Sequence, residues 1–119
     1  MGAEQRVDAF IAAMNDNDVT GACAMLAEAV VYYNIPFQPV EGRAAAEAVL
    51  TGMGPMKSID WEVLNSVAAG DTVCNERIDR FEFADGRTAA VRVMGIFRVA
   101  DDEIVEWRDY FDPAEFAPG

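Results

Sequence analysis

The sequence predicts an α+β fold in which helices pack on one face of an antiparallel β-sheet. Apolar residues in the first third of the chain recur at the three- and four-residue spacings of helices, whereas from Ile59 onward they alternate with a period of two. No internal repeat, low-complexity segment or linker divides the 119 residues, so we expect a single domain spanning residues 1–119. A sheet that curls around the helices would enclose a pocket, where small-molecule sites are usually found.

The first two helices are predicted from the spacing of their apolar side chains. One apolar stripe marks the first helix and consists of Val7, Phe10, Ile11 and Met14. The sequence Asn-Asp-Asn-Asp at 15–18 interrupts this stripe and offers an N-cap for a second helix. That second helix is expected to carry Val19, Cys23 and Leu26.

A short β-like segment and a third helix follow. The segment is Val30–Tyr33, and the proline at position 36 ends regular strand pairing after it. Residues 38–42 are predicted to form a loop. The alanine-rich stretch Arg43–Met53 is predicted to be helical and to end at the glycines and proline of positions 52–55.

Four strands are predicted in the second half of the chain. The first carries Ile59, Trp61, Val63 and Val67 on one face. The next two, Val73–Phe83 and Thr88–Val99, flank a turn whose glycine at position 86 supplies a positive φ. A turn at positions 101–102 leads into the last strand, Ile104–Phe111, and prolines at 113 and 118 with a glycine at 119 predict an irregular tail.

Composition argues against several classes of partner and site. Asp and Glu number 21 and Lys and Arg number 9, so the net charge of −12 disfavours nucleic acid and anionic lipid. The chain has no histidine, which removes the usual Ser-His-Asp triads and the commonest metal ligand. Cys23 and Cys74 match no metal-site spacing, so they predict no metal site.

The expected location is the cytoplasm. No stretch approaches the roughly 20 apolar residues that cross a bilayer, and the N-terminus does not resemble a secretory signal. Two widely separated cysteines without such a signal are typical of reduced thiols in a cytosol.

Three ionisable residues fall on strand faces that are otherwise apolar. Arg77 and Asp79 share a face of one predicted strand, and Asp109 shares a face of the last strand with apolar neighbours. Burying charge costs several kcal/mol per ion unless the charges are paired. One arginine between two aspartates leaves a surplus carboxylate charge, which favours one carboxylate holding a proton at neutral pH. A protonated acid beside an ionised base is the arrangement required for acid–base catalysis, although a purely structural ion pair remains open.

Other residues are candidates for holding water and for lining the pocket. Tyr32 and Asn34 are two residues apart and can project hydrogen-bonding groups to the same side. Such residues are also common where a strand runs into a turn. The predicted pocket lining, whose members are often core residues instead, consists of Met53, Ile59, Phe81, Val91, Val93, Trp107 and Phe111.

Three motifs resemble those of the limonene-1,2-epoxide hydrolase family. They are Tyr-Tyr-Asn-Ile-Pro at 32–36, Glu-Arg-Ile-Asp at 76–79 and Trp-Arg-Asp-Tyr-Phe-Asp at 107–112. Their order and approximate spacing fit that family, and the resemblance runs from about Val30 to Phe116. It implies the cone-shaped α+β fold of the nuclear-transport-factor-2-like (SnoaL-like) superfamily, in which a curved sheet surrounds helices and a pocket, and it implies a homodimer.

The resemblance also implies a reaction and a role for each site residue. The reaction would be one-step addition of water to a small or medium hydrophobic epoxide, giving a vicinal diol without a cofactor. Asp109 would activate a water molecule held by Tyr32 and Asn34. Asp79 would protonate the epoxide oxygen, and Arg77 would bridge the two carboxylates.

Two other functions remain open on the same fold. One is a ketosteroid-isomerase-like or polyketide-cyclase-like enzyme, in which a carboxylate base faces an oxyanion donor. An arginine that pairs two carboxylates argues against that arrangement. The other is a non-catalytic module that binds a small molecule, and fold-level similarity does not separate it from an enzyme.

Overall fold

The computed structural model describes residues 2–116 and confirms the α+β class. The helices in this range are α1 (Ala3–Asn15), α2 (Val19–Cys23) and α3 (Arg43–Thr51). The strands are β1 (Leu26–Asn34), β2 (Val40–Glu41), β3 (Met56–Ala69), β4 (Thr72–Phe83), β5 (Thr88–Ala100) and β6 (Glu103–Tyr110). A 3₁₀ helix, Pro113–Phe116, follows β6 where an irregular tail was predicted, and residues 118 and 119 lie outside the described range.

All six strands form one mixed sheet in the order β2-β1-β6-β5-β4-β3. Strands β1 and β6 pair in parallel, and the other neighbours pair antiparallel. Helix α1 packs against the inner face of strands β3 to β6. This topology places β6 between the N-terminal strand β1 and the hairpin strands, so residues from distant parts of the chain meet at the centre of the sheet.

Helix α1 and the inner sheet face enclose an aromatic core. The four apolar residues predicted to form the stripe of α1 are all buried. Phe10 of α1 lies edge-on to Trp107 of β6 with ring centroids 5.0 Å apart, and Phe97 of β5 stacks on the same indole at 5.7 Å. Burying each large apolar side chain stabilises the fold by about 1.5–3 kcal/mol, so this contact anchors the helix to the centre of the sheet.

The prediction that Leu26 lies on the second helix is wrong. Helix α2 ends at Cys23, and Leu26 begins strand β1, where it pairs with Ile104 of β6. Leu26 lies three residues after Cys23, a spacing that fits a longer helix. A buried apolar residue at the start of a strand fits the sequence equally well, and pairing with the distant strand β6 favours the strand. The predicted loop at 38–42 likewise contains a short strand, β2, because Val40 and Glu41 pair with β1.

The prediction that Val67 shares one face of β3 with Ile59, Trp61 and Val63 is also wrong, whereas Val63 precedes the register shift and stays on that face, opposite Arg77. Ile59 and Trp61 are buried, whereas Val63 is 37% exposed and Val67 is 68% exposed. The register of β3 against β4 shifts between Val63 and Asn65. This bulge inserts one extra residue, so the odd-numbered side chains beyond it turn to the outer face. Strand β4 has no bulge against β5, and every second residue from Val73 to Phe83 remains buried.

Within the described range, no helix has both the length and the apolar character needed to cross a bilayer.

Candidate active site

Three strands bring the five predicted catalytic residues together around one cavity. Arg77 and Asp79 come from β4, Asp109 from β6, and Tyr32 and Asn34 from β1. Parallel pairing sets Asn34 directly beside Asp109. Four of the five line the cavity, and the side chain of Arg77 lies fully buried behind the two carboxylates. The alternation of each strand therefore places the charged groups on the inner face, as predicted.

The guanidinium of Arg77 binds both aspartates. Its Nε and Nη2 donate to the two carboxylate oxygens of Asp79, each at 2.9 Å. The same Nη2 donates to Asp109 Oδ2 at 3.0 Å. Both aspartates are 4% exposed and the arginine is 0% exposed, so solvent screens these contacts little. Arg77 therefore holds the two carboxylates in one rigid arrangement.

A fourth contact of Arg77 was not predicted. Its Nη1 donates to Asn75 Oδ1 at 2.8 Å, and Asn75 is itself buried. Period-two alternation from Arg77 already places Asn75 on the inner face, which was the signal available in the sequence. Uncharged asparagine carries a smaller burial cost than aspartate, so charge alone did not single it out.

Gly95 of β5 provides the space that this arginine occupies. It pairs with Asn75 on one side and with Asp109 on the other. A Cβ at this position would lie 2.8 Å from Asp109 Oδ1 and would collide with Arg77 Nη1. The backbone of Gly95 does not adopt a positive φ, so its conformation alone does not require glycine. Glycine is required because any side chain at this position would take the space of the buried Arg77 guanidinium.

Trp107 orients Asp109 from the core side. Its indole Nε1 donates to Asp109 Oδ1 at 2.9 Å. The same ring stacks on Tyr32 with centroids 3.9 Å apart and planes 13° apart. Both oxygens of Asp109 therefore accept a hydrogen bond, which leaves this carboxylate little rotational freedom.

The environment favours the protonated form of Asp79. Burial, with a smaller contribution from the charge of Asp109, raises the pKa of its carboxyl from 3.8 to about 6, against the lowering effect of Arg77. Burial by itself lowers the pKa of Arg77, but the charges of Asp109 and Asp79 outweigh that effect and raise it, so the guanidinium stays charged. A carboxyl that holds its proton beside a fixed cation and a second carboxylate can act as a general acid.

Tyr32 presents a neutral hydroxyl to the cavity. Burial raises the pKa of Tyr32 above its ordinary value, and the neighbouring Asp109 raises it further. The hydroxyl is therefore protonated at neutral pH and can both donate and accept a hydrogen bond. Asn34 adds an amide to the same wall.

The cavity encloses about 200 Å³ and is apolar apart from these polar groups. Of the seven predicted lining residues, four line it: Met53, Phe81, Val93 and Phe111. The other three do not line it, because Val91 and Trp107 are fully buried and Ile59 borders a separate groove beside Met53. Sequence reasoning missed the remaining apolar lining, which consists of Phe37, Val49, Leu50, Trp61 and Phe116.

Residues 2–116 contain no group of three or more cysteine, aspartate and glutamate side chains placed to hold a metal ion.

Comparisons with known proteins agree with the resemblance seen in the motifs. Residues 2–117 match the family model described as the limonene-1,2-epoxide hydrolase catalytic domain. Epoxide hydrolase EphG of Mycobacterium tuberculosis is 30% identical over 113 residues, which cover 95% of this chain and 75% of that protein.

Solved structures agree on the fold. A structure of an LEH-like epoxide hydrolase from M. tuberculosis superposes with a TM-score of 0.82 at 29% identity, covering 95% of this chain and 84% of the other. A candidate SnoaL-like polyketide cyclase from Shewanella putrefaciens CN-32 gives a TM-score of 0.84 at 11% identity, covering 97% and 93%, and this similarity shows the fold alone. The predicted nuclear-transport-factor-2-like (SnoaL-like) fold is thereby confirmed. With its family match spanning almost every residue, the chain belongs to the limonene-1,2-epoxide hydrolase family.

Proposed function

We propose that this protein is a cofactor-independent epoxide hydrolase that adds water in one step to a small or medium hydrophobic epoxide, giving a vicinal diol. The observation that carries the proposal is the simultaneous contact of Arg77 with Asp79 and Asp109 at the wall of an apolar cavity. Opening an epoxide needs a nucleophile at carbon and a proton at oxygen. In the proposed reaction water is the nucleophile, one carboxylate accepts a proton from that water, and the other carboxyl donates a proton to the epoxide oxygen.

Asp109 is the proposed general base. Arg77 and Trp107 occupy one site on each of its oxygens, and the remaining lone pairs are available to the cavity that Asp109 lines. As the oxygen of water bonds to an epoxide carbon, one water proton moves to Asp109. The carbon–oxygen bond of the ring breaks in the same step, and its electron pair stays on the departing oxygen.

Asp79 is the proposed general acid. Its raised pKa keeps the carboxyl protonated to a higher pH than that of an exposed aspartate, and from the protonated form the proton passes to the oxygen released from the ring. An alkoxide is a poor leaving group, so this transfer lowers the barrier together with the attack of water. The proton taken up by Asp109 must return to Asp79, directly or through water, before the next cycle.

Tyr32 and Asn34 are the proposed holders of the attacking water. Both line the cavity, and the β1–β6 pairing sets Asn34 beside the base Asp109. Two hydrogen-bonding groups next to the base restrict the water to orientations from which it can attack, and such positioning contributes strongly to rate.

The apolar lining of the cavity is the evidence for proposing a hydrophobic substrate. Apart from Tyr32, Asn34 and the two aspartates, its lining is aliphatic or aromatic. Removing apolar substrate surface from water contributes roughly 25 cal/mol per Å² buried, so a hydrocarbon substituent on the epoxide would be bound by this wall.

Hydrolysis of limonene oxide, cyclohexene oxide and styrene oxide tests the proposal. Wild-type protein should form diols, and Asp79→Asn or Asp109→Asn should each reduce kcat by about 10²–10⁴-fold, the usual value of a general acid or base. Asp60→Asn is a matched control because it alters an exposed carboxylate on the adjacent strand β3. Diol formation that survives both site substitutions would contradict the assigned roles.

We also propose that the protein is a homodimer. The sheet face opposite α1 exposes apolar side chains among charged ones, namely Leu64, Val67, Met94 and Tyr110. Sedimentation equilibrium should give twice the 13.0 kDa mass of the chain. Met94→Lys should shift the mass toward that of one chain, and a wild-type mass of one chain at all concentrations would contradict the dimer.

A cytoplasmic location is proposed as well, since Cys23 and Cys74 are both free thiols. Reduced cysteines are typical of proteins in a reducing compartment. Fluorescence microscopy of a tagged protein in its native cell should show diffuse cytoplasmic signal.

A further inference from the structure

We infer that Asn75 is a positioning residue for the reaction and acts through Arg77. Gly95 leaves open the space between Asn75 and Asp109 that the Arg77 guanidinium occupies, and we call this space the slot. This inference deepens the proposed function and rests on it for its catalytic meaning. It assigns a role outside the five residues on which the resemblance to the family was based.

The slot is built by one row of residues across three strands. Asn75 of β4 pairs with Gly95 of β5, and Gly95 pairs with Asp109 of β6. Because the glycine has no side chain, the space between Asn75 and Asp109 stays open, and Nη1 of Arg77 occupies it. The fit is close, since a Cβ on Gly95 would lie 3.1 Å from Asn75 Oδ1 and 2.8 Å from Asp109 Oδ1.

Asn75 determines how the guanidinium is rotated. A guanidinium is planar, so anchoring Nη1 on Asn75 at 2.8 Å sets the directions of Nη2 and Nε. Those two nitrogens make the contacts with Asp79 and Asp109. Without an acceptor at position 75, a fully buried N–H would lose its partner, and rotation of the plane toward another acceptor would disturb both carboxylate contacts.

The uncharged amide matters as much as its hydrogen bond. An aspartate at position 75 would offer Nη1 an acceptor of the same shape but would add a third carboxylate to one arginine. The charged or titratable groups around Asp79 are Arg77 on its own strand, Asp109 on β6 and Tyr32 on β1. A further negative charge there would raise the proton affinity of the cluster. Asn75 accepts the hydrogen bond of Arg77 Nη1 without adding a negative charge. The positive charge of Arg77 is therefore shared only between the two catalytic carboxylates.

A purely structural role for Asn75 makes different predictions. If the residue only packs and satisfies a buried donor, its loss lowers stability and leaves the titration of Asp79 unchanged. If it positions Arg77, its loss weakens the contact by which Arg77 lowers the pKa of Asp79, so that pKa rises. The carboxyl titration therefore separates the two roles without requiring any enzymatic activity.

The experiment compares Asn75→Leu, Asn75→Thr and Asn75→Asp with wild type. Carbon-13 NMR of the labelled Asp79 carboxyl measures its pKa, and steady-state kinetics with an epoxide that the wild type hydrolyses measure kcat and KM. Asn75→Leu should raise the pKa of Asp79 and lower kcat by about 10²-fold with KM little changed, because position 75 does not line the cavity. Asn75→Thr retains an acceptor hydroxyl and should restore most of kcat.

Asn75→Asp keeps the shape of the side chain and tests the charge even if the leucine variant fails to fold. It should raise the pKa of Asp79 by about one pH unit or more. The matched control is Asn65→Asp, which adds the same charge on the exposed face of β3 and should leave that pKa unchanged.

Two results would overturn the inference. One is a pKa of Asp79 that is the same in wild type and Asn75→Asp. The other is a folded Asn75→Leu variant with wild-type kcat. If no epoxide is hydrolysed by wild type while the NMR shifts occur as expected, the proposed function fails and the positioning of Arg77 by Asn75 stands.

Discussion

Asp79 is predicted to make the fold less stable as the pH rises. Burial raises the pKa of its carboxyl from 3.8 to about 6 in the folded chain, despite the opposing effect of Arg77. A higher pKa in the folded state means that the folded chain binds this proton more tightly than the unfolded chain does. The resulting stabilisation is complete below pH 3.8 and is lost as the pH rises through about 6.

The size of the effect follows from those two pKa values. With 3.8 in the unfolded chain and about 6 in the folded chain, the proton contributes about 1 kcal/mol to the free energy of unfolding at pH 5 and almost nothing at pH 8. Asparagine at position 79 cannot ionise, so Asp79→Asn should lack this change.

Urea unfolding of wild type and Asp79→Asn at pH 5 and pH 8 measures it. The difference in unfolding free energy, wild type minus variant, should fall by about 1 kcal/mol between the two pH values. Subtracting the variant removes the contributions of titrating groups that do not interact with Asp79. A difference that stays constant or grows with pH would refute the reasoning, because it would mean that the fold stabilises the ionised carboxylate.

The same titration should appear in catalysis. If Asp79 must be protonated to act as the acid, kcat/KM for an epoxide should fall about tenfold for each pH unit above the pKa of this group. An alkaline limb that survives in Asp79→Asn with undiminished activity would mean that another group supplies the proton.

Three further predictions concern residues that support the site or the fold. Gly95→Ala should lower kcat by about 10²-fold and destabilise the protein by about 1–3 kcal/mol, because the added methyl displaces Arg77. Steady-state kinetics and urea unfolding measure these two effects. A wild-type kcat in this variant would show that the slot can widen. Trp107→Phe should keep the aromatic packing but lose the hydrogen bond to Asp109. We expect a loss of about 1.5–3 kcal/mol of stability in urea unfolding and a lower kcat. An unchanged kcat would show that Asp109 does not need this hydrogen bond. Asp18→Ala should cost about 0.5–2 kcal/mol by thermal unfolding without affecting kcat, because it removes the side-chain cap of α2 at a residue that does not line the cavity.

The part of the site that could be predicted from the sequence is the strand face on which each charged residue lies, because side chains alternate between faces along a strand. Strand β4 keeps an unbroken period of two, so Arg77 and Asp79 fall on the inner face as expected. On β6 the alternation is interrupted between Ile104 and Trp107, and Asp109 follows it from Trp107 onward. Alternation says nothing about which strands are neighbours. The meeting of Arg77 and Asp79 with Asp109 was inferred from the need to pair buried charges, and the addition of Tyr32 and Asn34 of β1 to that site was expected from the resemblance to a known family.

Long-range pairing and local rotation account for what was not predictable. The bulge after Val63 and the entry of Leu26 into β1 depend on partners distant in sequence, which a local pattern does not contain. Trp107 lies on the predicted face, but its orientation toward Asp109 and away from the cavity depends on side-chain packing. Gly95 is informative only once its neighbours across the sheet are known, because nothing in its own backbone requires glycine.

Single turnover in ¹⁸O-labelled water tests the central claim most directly. With enzyme in excess over an epoxide that the wild type hydrolyses, direct attack by water held beside Asp109 predicts that ¹⁸O appears in the diol within the first turnover and that no label enters the protein. Label found in a carboxylate of Asp79 or Asp109, with an unlabelled diol from the first turnover, would show a covalent ester intermediate and would contradict the one-step mechanism.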